Sequence, residues 1–159
     1  MTENDYVTAL KQGLSKKVDI LKALSVLNEE QKSLLENPEL DPDDLEKNIQ
    51  TKAELVDALS LLDDGFEQVY ERLKEELSTN RDSYTADIGE MQQFIKQIMA
   101  LSASVQRQEQ RNKALMEQKF AHVRKQIRGV KNSRTAVQSY YQTMMKVNYI
   151  DPQFMDDKK

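Results

Sequence analysis

An alternation of apolar residues at spacings of three and four runs through most of this sequence and limits what it can fold into. In the first segment it passes through Val7, Leu10, Leu14, Leu21 and Leu24. This spacing places the apolar residues along one side of an α-helix, and helices with such a stripe pack side by side in bundles. Only four Gly and three Pro occur among 159 residues, so few positions interrupt the pattern. We therefore predict an all-α fold: an elongated antiparallel bundle of three long helices with coiled-coil-like packing.

Two interruptions divide the pattern. The first is Asn37-Pro38, because proline lacks the backbone donor and disfavours helix at the residue before it. The second is the polar run 78–83, although a continuous helix through this run stays an alternative. The stripe keeps its phase through Gly65, so no break is expected there. We predict one helical domain over residues 1–159, with helices at 4–36, 42–78 and 83–147 and a tail at 148–159.

The last predicted helix is about 95 Å long if it is unbroken. A hinge near 106–113 or at Gly129 would divide it and give a fourth helix. If the chain reverses near Asn80, the second helix is exhausted opposite a residue near Gln118. We therefore expect the segment 119–147 to overhang the bundle, to fold back or to meet a second chain.

Charge is unevenly distributed along the chain. Residues 37–78 carry thirteen acidic and four basic residues, whereas residues 79–159 carry eight acidic and fourteen basic ones. The bases concentrated in 107–134 could contact phosphates. However, they lie all around the predicted helix and no aromatic residues alternate with them to stack on bases. We predict no nucleic-acid partner; a solvated helix face and contact with an acidic protein surface both remain open.

Six polar residues interrupt the apolar stripes. They are Lys17, Asn28, Lys52, Asp63, Glu109 and Asn112. One interpretation is that the helices face water at these levels. The other is that buried polar residues penalise wrong pairings of the helices and so fix their register. Neither interpretation implies a ligand.

The sequence offers little for catalysis or for holding a cofactor. It contains no Cys, His122 is its only His, and its four Gly are isolated, so no phosphate-binding glycine loop exists. No apolar run approaches the roughly 18 residues that a membrane helix needs, and the N-terminus lacks a signal-peptide pattern. We predict a cytoplasmic protein that is not an enzyme, has no cofactor or metal and does not insert into membranes.

Methionine and aromatic residues are concentrated near the end of the chain. They are Tyr140, Tyr141, Met144, Met145, Tyr149, Phe154 and Met155. Adaptable Met and large aromatic side chains are typical of surfaces that bind other proteins. A core-facing helix end followed by an anchoring tail would have the same composition and stays an alternative.

The third predicted helix contains QEQRNKAL at 108–115, and the chain continues with Tyr140-Tyr141 and ends with DPQFMDDKK at 151–159. In this order, after two antiparallel helices, these segments resemble the FlgN family of flagellar export chaperones. The resemblance implies a cytosolic chaperone that binds hook-associated proteins, which form the hook–filament junction, and delivers them to the flagellar type III export apparatus. It also implies that the C-terminal part binds the substrate.

Transferred to this chain, the resemblance assigns partner binding to apolar positions of the overhang. They are Leu115, Phe120, Val123, Ile127, Val130, Val137, Tyr140, Tyr141 and Met144. The alternative function is that of a structural coiled-coil protein, which would form a homodimer through the same C-terminal helix.

Overall fold

Three long helices make up the part of the chain that the structure describes, residues 3–123 of a computed structural model. They are α1 (Glu3–Glu36), α2 (Pro42–Thr79) and α3 (Thr85–Val123), with a single 3-10 turn at Arg81–Tyr84 before α3. No strand occurs within 3–123, and the predicted all-α bundle is confirmed. The rest of the predicted helix 83–147 and the predicted tail lie outside the described residues.

The connection between α1 and α2 is built by side chains that satisfy backbone groups. After α1 ends, the amide of Asn37 donates to the carbonyl of Leu34 at 3.2 Å, and its own Oδ1 accepts from the amide of Glu39 at 2.9 Å. Asp41 then caps α2 by accepting from the amide of Asp43 at 2.9 Å. Pro42 occupies the first turn, where its missing donor costs nothing. The reversal at 37–41 is therefore fixed by local chemistry.

Neither α2 nor α3 breaks within its range. α2 passes through Gly65 without interruption, as the phase of its stripe predicted. α3 continues as an α-helix through 106–113, so the hinge considered there is absent. The reason is that Glu109 and Asn112, within this polar run, are buried against the other helices. The possible hinge at Gly129 lies beyond the described residues.

α1 packs against both other helices and runs antiparallel to α2 but parallel to α3. Near the start of α1, Lys11 Nζ lies 2.7 Å from Oδ1 of Asp87 at the start of α3. Farther along both helices, Asn112 Nδ2 donates to the carbonyl of Asn28 at 2.9 Å. α2 returns alongside, so that Asn48 Nδ2 donates to the carbonyl of Leu27 at 3.0 Å. Contacts between α1 and α3 therefore join residues that are far apart in sequence.

The apolar core is divided into two clusters. The larger one, here called the main cluster, extends from Val7 to Leu24 on α1, from Val56 to Leu77 on α2 and from Tyr84 to Val105 on the segment containing α3. The smaller one, the terminal cluster, lies where α1 ends and α2 begins. Each fully buried aliphatic side chain contributes about 1.5–3 kcal/mol, so the main cluster dominates stability.

Candidate partner-binding end of the bundle

The terminal cluster brings together the end of α1, the start of α2 and the last described turns of α3. Its buried members are Leu35, Leu45, Ile49, Met116 and Phe120. Leu40, from the connection 37–41, and Leu115, from α3, pack against it with half-buried side chains. The cluster therefore closes one end of the bundle, at the position where α3 approaches the predicted overhang.

The connection 37–41 covers α3 at this end. Leu40 supplies an apolar side chain, and Lys119 Nζ donates to the carbonyl of Asn37 at 2.6 Å. The Lys119 ammonium thus reaches a carbonyl just past the end of α1, where the last turn of a helix leaves carbonyl oxygens without helical partners. This contact ties α3 to the α1–α2 connection.

The structure places two of the predicted partner-binding residues inside the bundle. Phe120 is only 6% exposed and Leu115 is half-buried, so neither side chain forms an open surface in this arrangement. The expectation that α3 overhangs from Lys119 onward is wrong for Phe120, because the terminal cluster extends to that level. Val123 is the last described residue of α3. Ile127, Val130, Val137, Tyr140, Tyr141 and Met144 lie outside the described residues.

A layer of buried polar residues separates the main cluster from the terminal cluster. The layer consists of Asn28, Gln31, Asn48, Lys52, Glu109 and Asn112, two from each helix. Lys52 Nζ donates to Oε1 of Glu109 at 2.9 Å and to Oε1 of Gln31 at 3.1 Å. Asn112 Nδ2 donates to the same oxygen of Gln31 at 2.9 Å. These bonds connect all three helices through one polar layer.

Burial decides between the two interpretations of the polar interruptions. Asn28, Lys52, Glu109 and Asn112 are all buried, and so is Lys17, whose Nζ lies 2.8 Å from Oδ1 of Asp63. The interpretation that the helices face water at these levels is therefore wrong for these five residues. Because each bond pairs polar groups on different helices, a shift of register would leave buried groups unsatisfied. Sequence reasoning did not single out Gln31 and Asn48; Gln31 carried a signal, since it continues the stripe of α1.

The layer also shifts a titration. Burial lowers the pKa of Lys52, while the adjacent Glu109 carboxylate opposes that shift. The pair is hydrogen-bonded to the amide of Gln31 rather than to water, so it acts as a fixed charge pair at the centre of the layer. Such a pair supports a specific helix arrangement and supplies no group positioned for catalysis.

A polar flank continues the same register on the outside of the α1–α3 contact. Gln108 Nε2 donates to Oε2 of Glu29 at 3.0 Å and to Oγ of Ser25 at 3.1 Å. Arg111 Nη1 lies 3.2 Å from the same Glu29 oxygen. These two donors lower the pKa of Glu29. Part of the basic stretch 107–134 is therefore engaged within the bundle.

Two further properties concern chemistry and membranes. Across the described part of the chain, no group of three or more His, Cys, Asp and Glu residues could hold a metal ion. None of the three described helices contains an apolar stretch that could span a lipid bilayer. The arrangement is thus one of helix packing, with apolar surface at one end whose accessibility depends on α3.

Residues 1–145 match the sequence model of the family described as FlgN protein. The chain belongs to the FlgN family. Members of this family are flagellar export chaperones, and the helical bundle agrees with that role. No curated protein and no solved structure matches this FlgN chain.

The described structure gives physical roles to the segment 108–115, on which the resemblance to the FlgN family rested. Gln108 and Arg111 hold the flank of α1, whereas Glu109 and Asn112 belong to the polar layer. Leu115 packs against the terminal cluster. In this FlgN chain the segment therefore joins the three helices directly before the part of α3 that leads out of the bundle.

Proposed function

We propose that this FlgN chain binds hook-associated proteins, those of the hook–filament junction, in the cytoplasm and delivers them to the flagellar type III export apparatus. Membership of the FlgN family supports the chaperone role, and the finer assignment of the partner goes beyond it. Binding requires no chemistry, only an apolar surface that a partner can cover. The proposal places that surface on the C-terminal part of α3 and the chain that follows.

One observation supports this placement above all: α1 and α2 have no residues left to pack against the stripe of α3 beyond the terminal cluster. The connection 37–41 already lies at the level of Lys119 and Phe120. Yet the sequence continues the stripe through Val123, Val130 and Val137. An apolar helix face of this kind can bind an amphipathic partner helix through side chains three and four residues apart.

The proposed partner-binding residues are therefore those on the continuing stripe. They are Val123, Ile127, Val130, Val137, Tyr140, Tyr141 and Met144, with Leu115 and Phe120 at the boundary with the bundle. Large aromatic side chains near the end of this series supply contact area at little cost in conformational entropy, as they do in binding hot spots.

Truncation after Val123 tests the proposal, because it keeps every described helix and removes the rest of the stripe. We expect the full chain to bind purified hook-associated proteins in isothermal titration calorimetry and the truncated chain to bind them at least tenfold more weakly. Circular dichroism and thermal unfolding of the truncated chain establish that its bundle is intact. Equal affinity of the two chains would overturn the placement, and no binding by the full chain would overturn the partner assignment.

A matched pair of double variants then resolves the stripe from its surroundings. Ile127→Ser with Val130→Ser removes two stripe positions, whereas Asn132→Ser with Gln138→Ser changes two polar positions of the same segment. We expect the first pair to weaken binding more than tenfold and the second pair to leave it within twofold. Similar losses for both pairs would show that the stripe is not the contact surface.

A further inference from the structure

The bundle has two apolar clusters of very unequal size. The main cluster contains sixteen buried residues and the terminal cluster five. The terminal cluster lies at the end of α1 and the start of α2, so its helices can separate there without disturbing the turn at Arg81–Tyr84. Because apolar burial is the main stabilising contribution, the small cluster has the lower resistance to opening.

The polar layer interrupts the apolar packing that would otherwise couple the two clusters. When an apolar layer opens, water gains nothing in return, but water can hydrate the amides and charges of an opened polar layer. Several buried atoms in the layer, namely Asn28 Oδ1, Gln31 Nε2 and Asn48 Oδ1, have no hydrogen-bond partner among the described residues. Hydration on opening would satisfy them. The layer is therefore the position at which separation of the helices costs least.

We propose that the bundle opens at the polar layer as a unit, so that the terminal cluster separates while the main cluster stays packed. The opening unit consists of α3 from Lys113 onward, the end of α1 after Gln31 and the first two turns of α2. This opening exposes Leu115, Met116 and Phe120 together with the apolar side chains that cover them. It extends the proposed partner-binding stripe back to the polar layer, and in that respect the inference rests on the proposed function.

The partner that suits the opened surface is an amphipathic helix. The exposed residues on α3 span about two helical turns, and their present neighbours Leu35, Leu45 and Ile49 are aliphatic. A partner helix that presents aliphatic or Met side chains at spacings of three and four would replace this internal contact. The opening therefore sets how much of α3 the partner can reach.

Native-state hydrogen exchange of the chain without any partner tests the opening directly. We expect amides of 113–121, 32–36 and 45–49 to exchange through one common opening, with the same dependence on denaturant, at least a hundredfold faster than amides of 88–105. Graded exchange that increases residue by residue toward Val123 would indicate fraying of one helix end and would overturn the proposal. Equal protection of both clusters would overturn it as well.

Replacing the buried ion pair provides a second measurement on the same chain. Lys52→Met with Glu109→Leu makes the layer more apolar and couples the two clusters. We expect exchange of 113–121 and 45–49 to slow at least tenfold relative to exchange of 88–105. An unchanged ratio would contradict the role given to the polar layer.

Cross-linking connects the opening to partner binding, and the absence of Cys from the sequence makes it site-specific. Asn37→Cys with Lys119→Cys places thiols where Lys119 Nζ now contacts the Asn37 carbonyl at 2.6 Å. Lys11→Cys with Asp87→Cys is the matched control, since it joins the same two helices within the main cluster, where the side chains lie 2.7 Å apart. A short bis-maleimide linker closes either pair.

We expect the linker at 37 and 119 to suppress the common opening and to weaken binding of hook-associated proteins at least tenfold relative to the same variant without linker. The linker at 11 and 87 should leave binding within twofold. Equal binding with and without the first linker would overturn the inference. If the full chain binds no such protein at all, the proposed function fails, while the hydrogen-exchange result still decides whether the bundle opens at the polar layer.

Discussion

Lys52 and Glu109 form an ion pair that is almost entirely removed from water, with side chains 4% and 3% exposed. Two charges this deeply buried lose their hydration, and their mutual attraction compensates only when the geometry is good. Here Nζ and Oε1 are 2.9 Å apart and Gln31 accepts a second bond from the ammonium. The pair is therefore costly to break from one side and of little net value as a whole.

This reasoning predicts opposite outcomes for single and paired substitutions. Glu109→Ala leaves a buried ammonium without its carboxylate and should lower the free energy of unfolding by about 3–5 kcal/mol, whereas Lys52→Met with Glu109→Leu should be neutral or stabilising by about 1–4 kcal/mol. Urea unfolding followed by circular dichroism measures both. Glu117→Ala, at an exposed position of the same helix, serves as the control. A double variant as unstable as the single one would contradict the prediction.

Two carboxyl groups of the bundle have pKa values shifted in opposite directions. Burial raises the pKa of Asp63 above its ordinary 3.8, although Lys17 opposes the shift. Hydrogen bonds from Gln108 and Arg111 lower the pKa of Glu29 below its ordinary 4.5. As a result, protonation of Asp63 favours the folded state and protonation of Glu29 disfavours it.

A carboxyl-carbon NMR titration of the folded chain checks both directions at once. Glu29 contributes stability above pH 4.5 that is lost as the pH falls through its folded pKa, whereas the destabilisation from Asp63 is present above its folded pKa and disappears as the pH falls towards 3.8. Arg111→Gln should move the pKa of Glu29 upward and leave that of Asp63 unchanged. A pKa of Glu29 above 4.5 in the unmodified chain would refute the assignment of its hydrogen bonds.

At the scale of elements, α2 contains a glycine that its structure does not need. Gly65 is exposed within a continuous helix, and a Cβ added there would meet no atom within 4 Å. Gly65→Ala should therefore raise the free energy of unfolding by about 0.5–1 kcal/mol, because alanine loses less backbone entropy in a helix. Chemical denaturation measures the gain. Ala100→Gly, at an exposed position of α3, should produce a loss of similar size; a loss at both positions would contradict the argument.

Local features of the elements could be predicted from the sequence because their physics is local. The all-α fold follows from the spacing of apolar residues, and Asp41 and Pro42 explain the start of α2 through a cap and a fixed backbone angle. Burial of the polar stripe residues could not be predicted in this way. Whether Lys52 meets water or Glu109 depends on the register between helices whose contacting residues are 57 positions apart.

The candidate site shows the same limit. A count of residues along antiparallel helices indicated that the support for α3 runs out near Gln118, which is close to where the terminal cluster ends. It could not show that Leu40 and the Asn37 carbonyl would fold over α3 and cover Phe120. A connection of five residues has many conformations available, and only the packed neighbours select one of them.

For the molecule as a whole, the parallel contact between α1 and α3 governs how the bundle assembles. The hydrogen bonds that join these helices connect residues 76 to 84 positions apart, whereas Asn48 on α2 bonds to α1 across only 18 and 21 positions. Closing a long loop costs more entropy than closing a short one. We therefore predict that the α1–α2 hairpin near 27–48 gains protection first in pulse-labelled hydrogen exchange during refolding, and α3 later. Simultaneous protection of all three helices would contradict this order.

The parallel contact has a consequence for the newly made chain. During synthesis α1 and α2 leave the ribosome before α3, and α1 has to wait for the partner that covers its other side. Until α3 docks, its apolar stripe is available to whichever surface reaches it first. The helix that would hold a client protein is thus also the last piece the chaperone needs in order to complete itself, so its own folding is the first competitor that any client meets.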